Sequence, residues 1–405
     1  MSLAILCLVA IPAIAAEPFQ FQPNDRVVLL GSGLAERLQF DGYFEGMLTV
    51  ACADKNLTFR NLGWSGDTVW GDSRGVFGSR AEGFKRLVKD VTEAQPTVLA
   101  ICYGENEAYA GEAGLADFRA GLLALLDALK PTGARVLLIA PPPHENLGPP
   151  LPSPTEYNSA QAKYADAIAA LAQERGAGFI APVAKQGTYL SSLTTNGFQF
   201  TKLGAWLWAW DAGEQLGLVG PDLGPLIELD AAKAAVLAAR RTAVADVAWD
   251  GTTLRFTATE PLLLMPPQPP AASLIDVAPP PKSLPGSHRV LRIRNLPAGN
   301  YELRIDGEKQ DLADQEVWSR GLALRDAASV AGTAKLRELA AGKNELYFHR
   351  YRPQNETYLF LFRKHEQGNN AVEIPQFDPL VAAKEREIAT LCRPVARKYE
   401  LTRQK

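Results

Sequence analysis

The chain has 405 residues, of which 47% are hydrophobic and 21% are charged, a globular composition with enough length for one full core and an accessory domain. Its 42 Lys and Arg residues are balanced by 45 Asp and Glu residues, giving a formal net charge of −3. Electrostatic binding of a phosphate backbone needs a basic excess that this chain lacks, so we expect no nucleic-acid partner.

An apolar run from Leu3 to Ala15 has the length of a signal-peptide core and is too short to span a bilayer. It ends in the small-x-small pattern Ala13-Ile14-Ala15, which predicts that residues 1–16 are a signal peptide and that the protein is exported to the periplasm or the exterior. No Lys or Arg precedes the run, so an uncleaved N-terminal anchor is the alternative. No later segment is apolar enough to predict a membrane span.

Cysteine spacing argues against metal and disulfide chemistry. Signal cleavage would remove Cys7 and leave Cys52, Cys102 and Cys392, an odd set without CxxC or metal-ligand spacing. We therefore predict no disulfide framework, no metal site and no cofactor.

From Arg26 to about Gly217, short apolar runs alternate with amphipathic helical stretches, which is typical of βαβ units around a parallel sheet. The runs predict five strands, at 27–30, 57–61, 98–102, 136–139 and 178–180. Helical patterns lie near 34–52, 81–94, 114–129, 157–175 and 202–216. We predict one α/β domain over residues 24–220.

The chain changes character after this domain. Segments 254–258 and 301–305 each follow a turn signal and predict two β-hairpins. Between them, the Pro-rich stretch 261–285 lacks the amide donors of a central strand and suits a covering loop. We therefore predict a small antiparallel β region at 240–310 and a mainly helical region at 311–405.

The ligand site of an open parallel sheet lies outside the carboxyl ends of its strands, so the residues directly after each apolar run are informative. Four such blocks follow in order: Gly31-Ser32-Gly33-Leu34-Ala35-Glu36, Asn61-Leu62-Gly63-Trp64-Ser65-Gly66-Asp67-Thr68, Tyr103-Gly104-Glu105-Asn106-Glu107 and Asn196-Gly197-Phe198-Gln199. Their order resembles that of the SGNH (GDSL-type) hydrolases.

In that family the first block carries a nucleophilic Ser in G-D-S, the second supplies a Gly amide, the third an Asn side chain in G-x-N-D, and the last the acid and base in D-x-x-H. The resemblance implies an α/β, three-layer, flavodoxin-like fold with a parallel five-stranded sheet. It also implies that Gly66 and Asn106 are the oxyanion-hole donors of the old active site.

The outer two blocks depart from the family pattern. Ser32 stands where Asp is expected and Gly33 where the nucleophilic Ser is expected, so the nucleophile is missing. Gln199 occupies the His position, and Asn196, or Thr195 one residue earlier, occupies the Asp position. We therefore predict that the catalytic triad is lost.

A narrower resemblance covers almost the whole mature chain and points to a multidomain SGNH group from planctomycete and verrucomicrobial bacteria. The segments that carry it are 60–71, Pro143-His144-Glu145-Asn146-Leu147-Gly148, Tyr351-Arg352-Pro353-Gln354-Asn355-Glu356-Thr357-Tyr358 and Glu366-Gln367-Gly368-Asn369-Asn370.

Several residues near these blocks have competing interpretations. Ser32 is either a helix N-cap or a displaced nucleophile, and the tight strand-to-helix turn favours the cap. His144, the His that follows the fourth strand, is either a substitute base or a residue that contacts ligand or braces its loop. Trp64 is a candidate for stacking on a sugar ring. Glu105 and Glu107 are capping or ligand-contacting carboxylates rather than a metal pair.

Three functions follow from these residues. The first is a degenerate, non-catalytic SGNH protein, a pseudoenzyme, that binds a carbohydrate or acylated glycan in the former cleft through Ser32, Trp64, His144 and Glu105. The second is an active esterase that uses Ser32 or Ser65 with His144. The third is a structural or partner-docking protein that uses its C-terminal aromatic residues, namely Tyr347, Phe348, Tyr351, Tyr358, Phe360 and Phe362.

Overall fold

The computed structural model describes residues 19–182, 192–220, 223–261, 263–267, 269, 288–324 and 327–405. The predicted signal peptide and most of the Pro-rich stretch lie outside these residues. None of the helices in the described ranges is both long enough and apolar enough to cross a bilayer.

The first domain is built on a parallel five-stranded sheet in the order β2-β1-β3-β4-β5, which confirms the predicted α/β fold. Its strands are β1 (Arg26–Gly31), β2 (Thr58–Gly63), β3 (Val98–Cys102), β4 (Arg135–Ile139) and β5 (Gly178–Ile180). Its helices are α1 (Gly33–Asp41), α2 (Tyr43–Ala51), α3 (Arg80–Glu93), α4 (Leu115–Leu129), α5 (Thr155–Arg175) and α6 (Lys202–Gln215). The predicted strands are confirmed to within one or two residues.

Gly42 divides the single helix predicted near 34–52 into α1 and α2. It adopts φ +62°, and a Cβ there would lie 2.9 Å from the carbonyl oxygen of Arg337. Both the left-handed backbone and the close approach of a later helix favour glycine at this position.

Apolar residues of the sheet alternate between two helical layers. On β1, Val27 and Leu29 pack into one core cluster, while Val28 and Leu30 pack into the other. Because successive side chains of a strand point to opposite faces, a run of consecutive apolar residues indicates a strand covered on both sides. The three-layer arrangement follows from this pattern.

A β-sandwich follows the first domain. Its strands are β6 (Leu226–Asp230), β7 (Ala235–Arg240), β8 (Ala243–Trp249), β9 (Thr253–Pro261), β10 (Arg289–Arg294), β11 (Asn300–Ile305), β12 (Glu308–Asp314), β13 (Leu322–Leu324) and β14 (Pro394–Arg403). One sheet has the order β13-β10-β6-β7 and the other the order β12-β11-β14-β9-β8. Leu229, Phe256 and Tyr399 belong to the single core cluster between the sheets.

The first predicted hairpin is β8 with β9, whereas the second is wrong at its turn: β10 and β11, on either side of residues 297–300, lie in different sheets, and β11 pairs with the following strand β12. The predicted β region is also too short at both ends, since the first sheet begins at Leu226 and β14 comes from the region predicted as helical. β14 pairs on one side with β9 and on the other with β11, so long-range pairing makes it a strand.

Five helices separate most of the sandwich from its last strand: α7 (Gln315–Arg320), α8 (Ala327–Tyr351), α9 (Glu356–Leu359), α10 (Lys364–Gln367) and α11 (Phe377–Leu391). Helix α8 packs on the first domain, where the buried Lys343 Nζ lies 2.6 Å from Glu45 Oε1 and 3.0 Å from the carbonyl oxygen of Phe59. Tyr347 is also buried in this contact, which removes it from the aromatic residues proposed to dock a partner.

Candidate functional site

Ser32 lies between β1 and α1 and is fully buried. It holds the predicted N-cap position, but its side chain makes no capping hydrogen bond. Instead, its Oγ donates to Glu105 Oε2 at 3.0 Å, and the amide of Leu34 donates to the same oxygen at 3.2 Å. A carboxylate from the loop after β3 therefore caps α1 in place of Ser32.

Glu105 fills the space beside Gly33. A Cβ at Gly33 would lie 3.0 Å from Glu105 Oε1 and 3.2 Å from Oε2. Gly33 is absent from the positive-φ glycines of the described residues, so its backbone does not itself require glycine. Burial raises the pKa of the Glu105 carboxyl, although its bonds to Ser32 and Leu34 oppose the shift.

The two predicted oxyanion donors flank the same loop. Gly66 is exposed and adopts φ +81°. Asn106 Nδ2 donates to the carbonyl oxygen of Asp67 at 2.7 Å, which ties the third block to the second. Their action on an oxyanion stays a prediction.

A buried ionic network supports the second block. Arg74 Nε lies 2.7 Å from Asp67 Oδ2, and its Nη1 lies 3.0 Å from Asp90 Oδ2. Arg74 Nη2 also donates to the carbonyl oxygen of Leu62 at 2.6 Å, and Tyr103 OH donates to Asp67 Oδ2 at 2.9 Å. Every polar group of the Asp67 side chain is thus engaged inside the protein.

The prediction that Trp64 stacks on a sugar is wrong. Trp64 is only 8% exposed. The guanidinium carbon of Arg352 lies 3.7 Å from the ring centroid, with those of Arg86 and Arg74 at 5.2 and 5.4 Å. These cation–π contacts cover the ring, so it is part of the packing between the first domain and the C-terminal region.

Glu36 connects the C-terminal region to the loop that carries Ser65 and Gly66. Sequence reasoning missed this role. Its Oε2 accepts from the amide of Ser65 at 3.0 Å and also from the Ser65 hydroxyl. Its Oε1 lies 3.0 Å from Arg352 Nη1, while Tyr351 OH donates to the carbonyl oxygen of Gly63 at 2.9 Å. The end of α8 therefore holds the loop that presents Gly66.

His144 braces the loop after β4. Its amide donates to Asn158 Oδ1 at 2.8 Å and its carbonyl accepts from Asn158 Nδ2 at 2.9 Å. The imidazole stacks on Tyr157, with 3.9 Å between centroids, and its Nε2 is buried without a hydrogen-bond partner. Burial lowers the pKa of His144 to about 4.

Glu145 fixes the last block. Its carboxylate accepts from the amides of Leu193 and Thr194 at 3.0 and 2.8 Å, and its own amide donates to the carbonyl oxygen of Gly197 at 2.6 Å. The sequence alone did not reveal this role of Glu145, because its contacts with residues 193–197 form only when the two loops come together in the fold.

Asn196 serves its own turn. Its Oδ1 accepts from the amide of Gln199 at 2.9 Å, an arrangement that stabilises the turn before α6. Within the described ranges, no hydrogen bond joins the Gln199 side chain to Ser32 or Gly33. That Gln199 and Gly33 lie near each other at the carboxyl edge of the sheet therefore stays a prediction.

Ring contacts and one hydrogen bond gather the remaining blocks at one edge of the sheet. Tyr157 OH donates to the carbonyl oxygen of Glu105 at 2.8 Å, and Phe198 lies 5.3 Å from His144 between ring centroids. Tyr109 packs on Tyr157 at 4.7 Å. We call Tyr109, His144, Tyr157 and Phe198 the aromatic cluster. It links the loop that carries Glu105 to the last block.

Glu107 braces two loops, accepting from the amides of Val69 and Gly104 at 2.9 Å each. Burial raises its pKa to about 7. In the part of the chain that the structure describes, no group of three or more His, Cys, Asp or Glu side chains could hold a metal ion.

Lowering the pH from about 6.5 to about 4 should destabilise the fold through His144. Folding lowers the pKa of this imidazole from about 6.5 to about 4. The unfolded chain binds this proton more readily, so the free energy of unfolding falls as the pH falls, by on the order of 1–2 kcal/mol at pH 4 for this half-buried group. Urea unfolding of the parent and of His144→Phe, which keeps the ring stack, measures this difference. Equal pH slopes for both proteins would contradict it.

The first domain has an α/β fold of the SGNH type. Its features are the strand order, the contact between two loops at Asn106, and the order of the sequence blocks after the strands. The GDSL-like lipase/acylhydrolase family model matches residues 30–207, which make up most of this domain. Among curated proteins, no significant match was found.

Solved structures resemble the chain at low identity. A gut microbial diltiazem-metabolizing enzyme, BT4096, shares 15% identity and a TM-score of 0.73, over 96% of this chain and 100% of that one. A catalytic mutant of Axe2, an acetylxylan esterase from Geobacillus stearothermophilus, shares 16% identity over 49% and 97% of the two chains, with a TM-score of 0.39. The first of these matches shows that the whole multidomain fold recurs in another protein.

Proposed function

We propose that this protein is a catalytically degenerate SGNH protein that binds a carbohydrate or acylated glycan in its former active-site cleft. The observation that carries the proposal is the pairing of Gly33 with Glu105, because a carboxylate stands where a nucleophile would need room. In serine hydrolases, losing one triad member costs on the order of 10⁶ in turnover, about as much as losing all of them. Efficient ester hydrolysis is therefore not expected.

The alternative nucleophiles are engaged elsewhere. Ser32 Oγ donates to Glu105, and Ser65 Oγ donates to Glu36. His144 Nε2 forms no hydrogen bond with either hydroxyl within the described residues. Each hydroxyl donates to a carboxylate and neither has the imidazole base that activates the serine of a triad, which disfavours the active-esterase hypothesis.

Binding is supported by exposed ring surface in the aromatic cluster. Tyr109 is 67% exposed and Phe198 is 44% exposed. Aromatic rings combine a large apolar face with, in Tyr, a polar edge, which suits the alternating CH faces and hydroxyls of a sugar. Tyr109 and Phe198 thus take the stacking role first assigned to Trp64. Export and membership of the narrower bacterial group remain parts of the same proposal.

The decisive experiment is labelling with a broad serine-hydrolase phosphonate probe, together with hydrolysis of a short acetyl ester. We expect no labelling and no rate above background, and the same result for Ser32→Ala. An active serine esterase treated in parallel shows that the probe works. Labelling of the parent that disappears in Ser32→Ala would overturn the proposal and establish the active-esterase alternative.

A further inference from the structure

No cation of the described residues forms an ion pair with the Glu105 carboxylate. Its Oε2 accepts from Ser32 and Leu34, whereas its Oε1 makes no hydrogen bond in the described part of the chain. Across the same ranges, no Lys, Arg or His forms an ion pair with it. By comparison, Glu36 is paired with Arg352 and Asp67 with Arg74, while the two carboxylate oxygens of Glu107 each accept from a backbone amide.

Two tyrosines lie beside Glu105, and burial, followed by the charge of Glu105, raises the pKa of both phenols. Tyr157 is hydrogen-bonded to the Glu105 backbone, and Tyr109 packs on Tyr157 while keeping most of its surface exposed. His144 stacks on Tyr157. Its imidazole is uncharged at neutral pH because burial lowers its pKa to about 4. The cluster therefore contains no cation of its own.

Ring faces beside an unpaired carboxylate are the chemistry that recognises an ammonium group, through cation–π attraction and a charge-assisted hydrogen bond. An anionic sugar would instead meet repulsion from Glu105. A neutral sugar could use the rings and donate a hydroxyl to Oε1, but it would bring no positive charge to the carboxylate.

We infer that the cleft selects an amino sugar with a free ammonium group, held between Glu105 Oε1 and the exposed face of Tyr109. This inference rests on the proposed function, because it names the class of carbohydrate that the degenerate cleft binds. It assigns the carboxylate beside Gly33 a binding role in place of the lost nucleophile.

The experiment compares three oligosaccharides of equal length by isothermal titration calorimetry at about pH 5.5, 6.5 and 7.5, because the amine is more fully charged at the lower values whereas the Glu105 carboxyl, whose pKa burial raises, is more fully ionised at the higher ones. The probes are oligomers of glucosamine, N-acetylglucosamine and xylose. We expect the glucosamine oligomer to bind at least about tenfold more tightly than the other two, equivalent to about 1.4 kcal/mol. Its affinity should fall with added NaCl, while that of the acetylated oligomer should not.

Glu105→Gln should remove the preference, leaving the three affinities within about twofold. The matched control is Glu112→Gln, which changes an exposed carboxylate of the following segment that is paired with Lys163. This control should keep the preference. If Glu105→Gln fails to fold, the salt dependence of the parent still decides the question.

The outcomes distinguish selection of an amino sugar from carbohydrate binding in general. Equal binding of free and acetylated amino sugars would overturn this inference and leave the proposed function standing. Binding of none of the three oligosaccharides would count against the proposed function itself, and the inference would fall with it.

Discussion

Arg74→Ala should lower the free energy of unfolding by about 3–5 kcal/mol, the usual cost of removing one partner from a buried ion pair. The side chains of Arg74 and Asp67 are both 0% exposed, and that of Asp90 is 11% exposed. Removing the guanidinium leaves these carboxylates without their buried cation and also frees the carbonyl oxygen of Leu62. Denaturant unfolding of the purified protein measures the loss.

Arg119→Ala is the matched control on the same domain. Arg119 lies 3.2 Å from Glu174, but the two side chains are 53% and 48% exposed. An exposed pair contributes about 0–1 kcal/mol, so this variant should unfold almost like the parent. If both variants lost the same free energy, the Arg74 network would not have the structural role assigned to it.

Restoring the triad should fail unless Glu105 is also removed. The fourfold variant Ser32→Asp, Gly33→Ser, Asn196→Asp and Gln199→His places a new carboxylate and a new side chain against the Glu105 carboxylate, which already lies 3.0 Å from Ser32 Oγ. Two neighbouring carboxylates repel each other, which raises the pKa of one of them. The Glu105 carboxylate also crowds the serine introduced at position 33. We expect no hydrolysis of a short acetyl ester by this variant.

Adding Glu105→Ala should raise the rate by on the order of 10² or more over the fourfold variant, because a complete triad then faces the retained donors Gly66 and Asn106. Glu105→Ala alone should stay inert, since it supplies no nucleophile. Its cost is the cap of α1, about 1 kcal/mol, which a melting curve checks. A folded fivefold variant without activity would show that the cleft has changed beyond these positions.

The fold of the first domain could be predicted from the sequence because its strands and the loops after them are each marked by short stretches of neighbouring residues. Buried parallel strands are consecutive apolar runs, and the loops that follow them carry the blocks. The glycine at position 33, where the family pattern has the nucleophilic Ser, was readable for the same reason. The pattern could not show that Glu105 would fill the vacant space, since that contact joins loops more than seventy residues apart.

The errors share a physical origin in long-range contacts. Trp64 looked available for a ligand because its sequence neighbours are polar, yet Arg352 covers it from far along the chain. β14 follows a helical pattern and carries charged residues on its exposed positions, so only its pairing with β9 and β11 reveals it. Glu36 and Glu145 gain their roles in the same way.

The position of β14 also constrains how the protein can be made. Until the ribosome has released residues 394–403, β9 and β11 each have an open edge of unpaired amide and carbonyl groups. The sandwich must therefore close after α8 and α11 have been synthesised. A nonsense mutation just before Pro394 would thus delete the middle of a sheet rather than a dispensable tail, and expose two strand edges to aggregation.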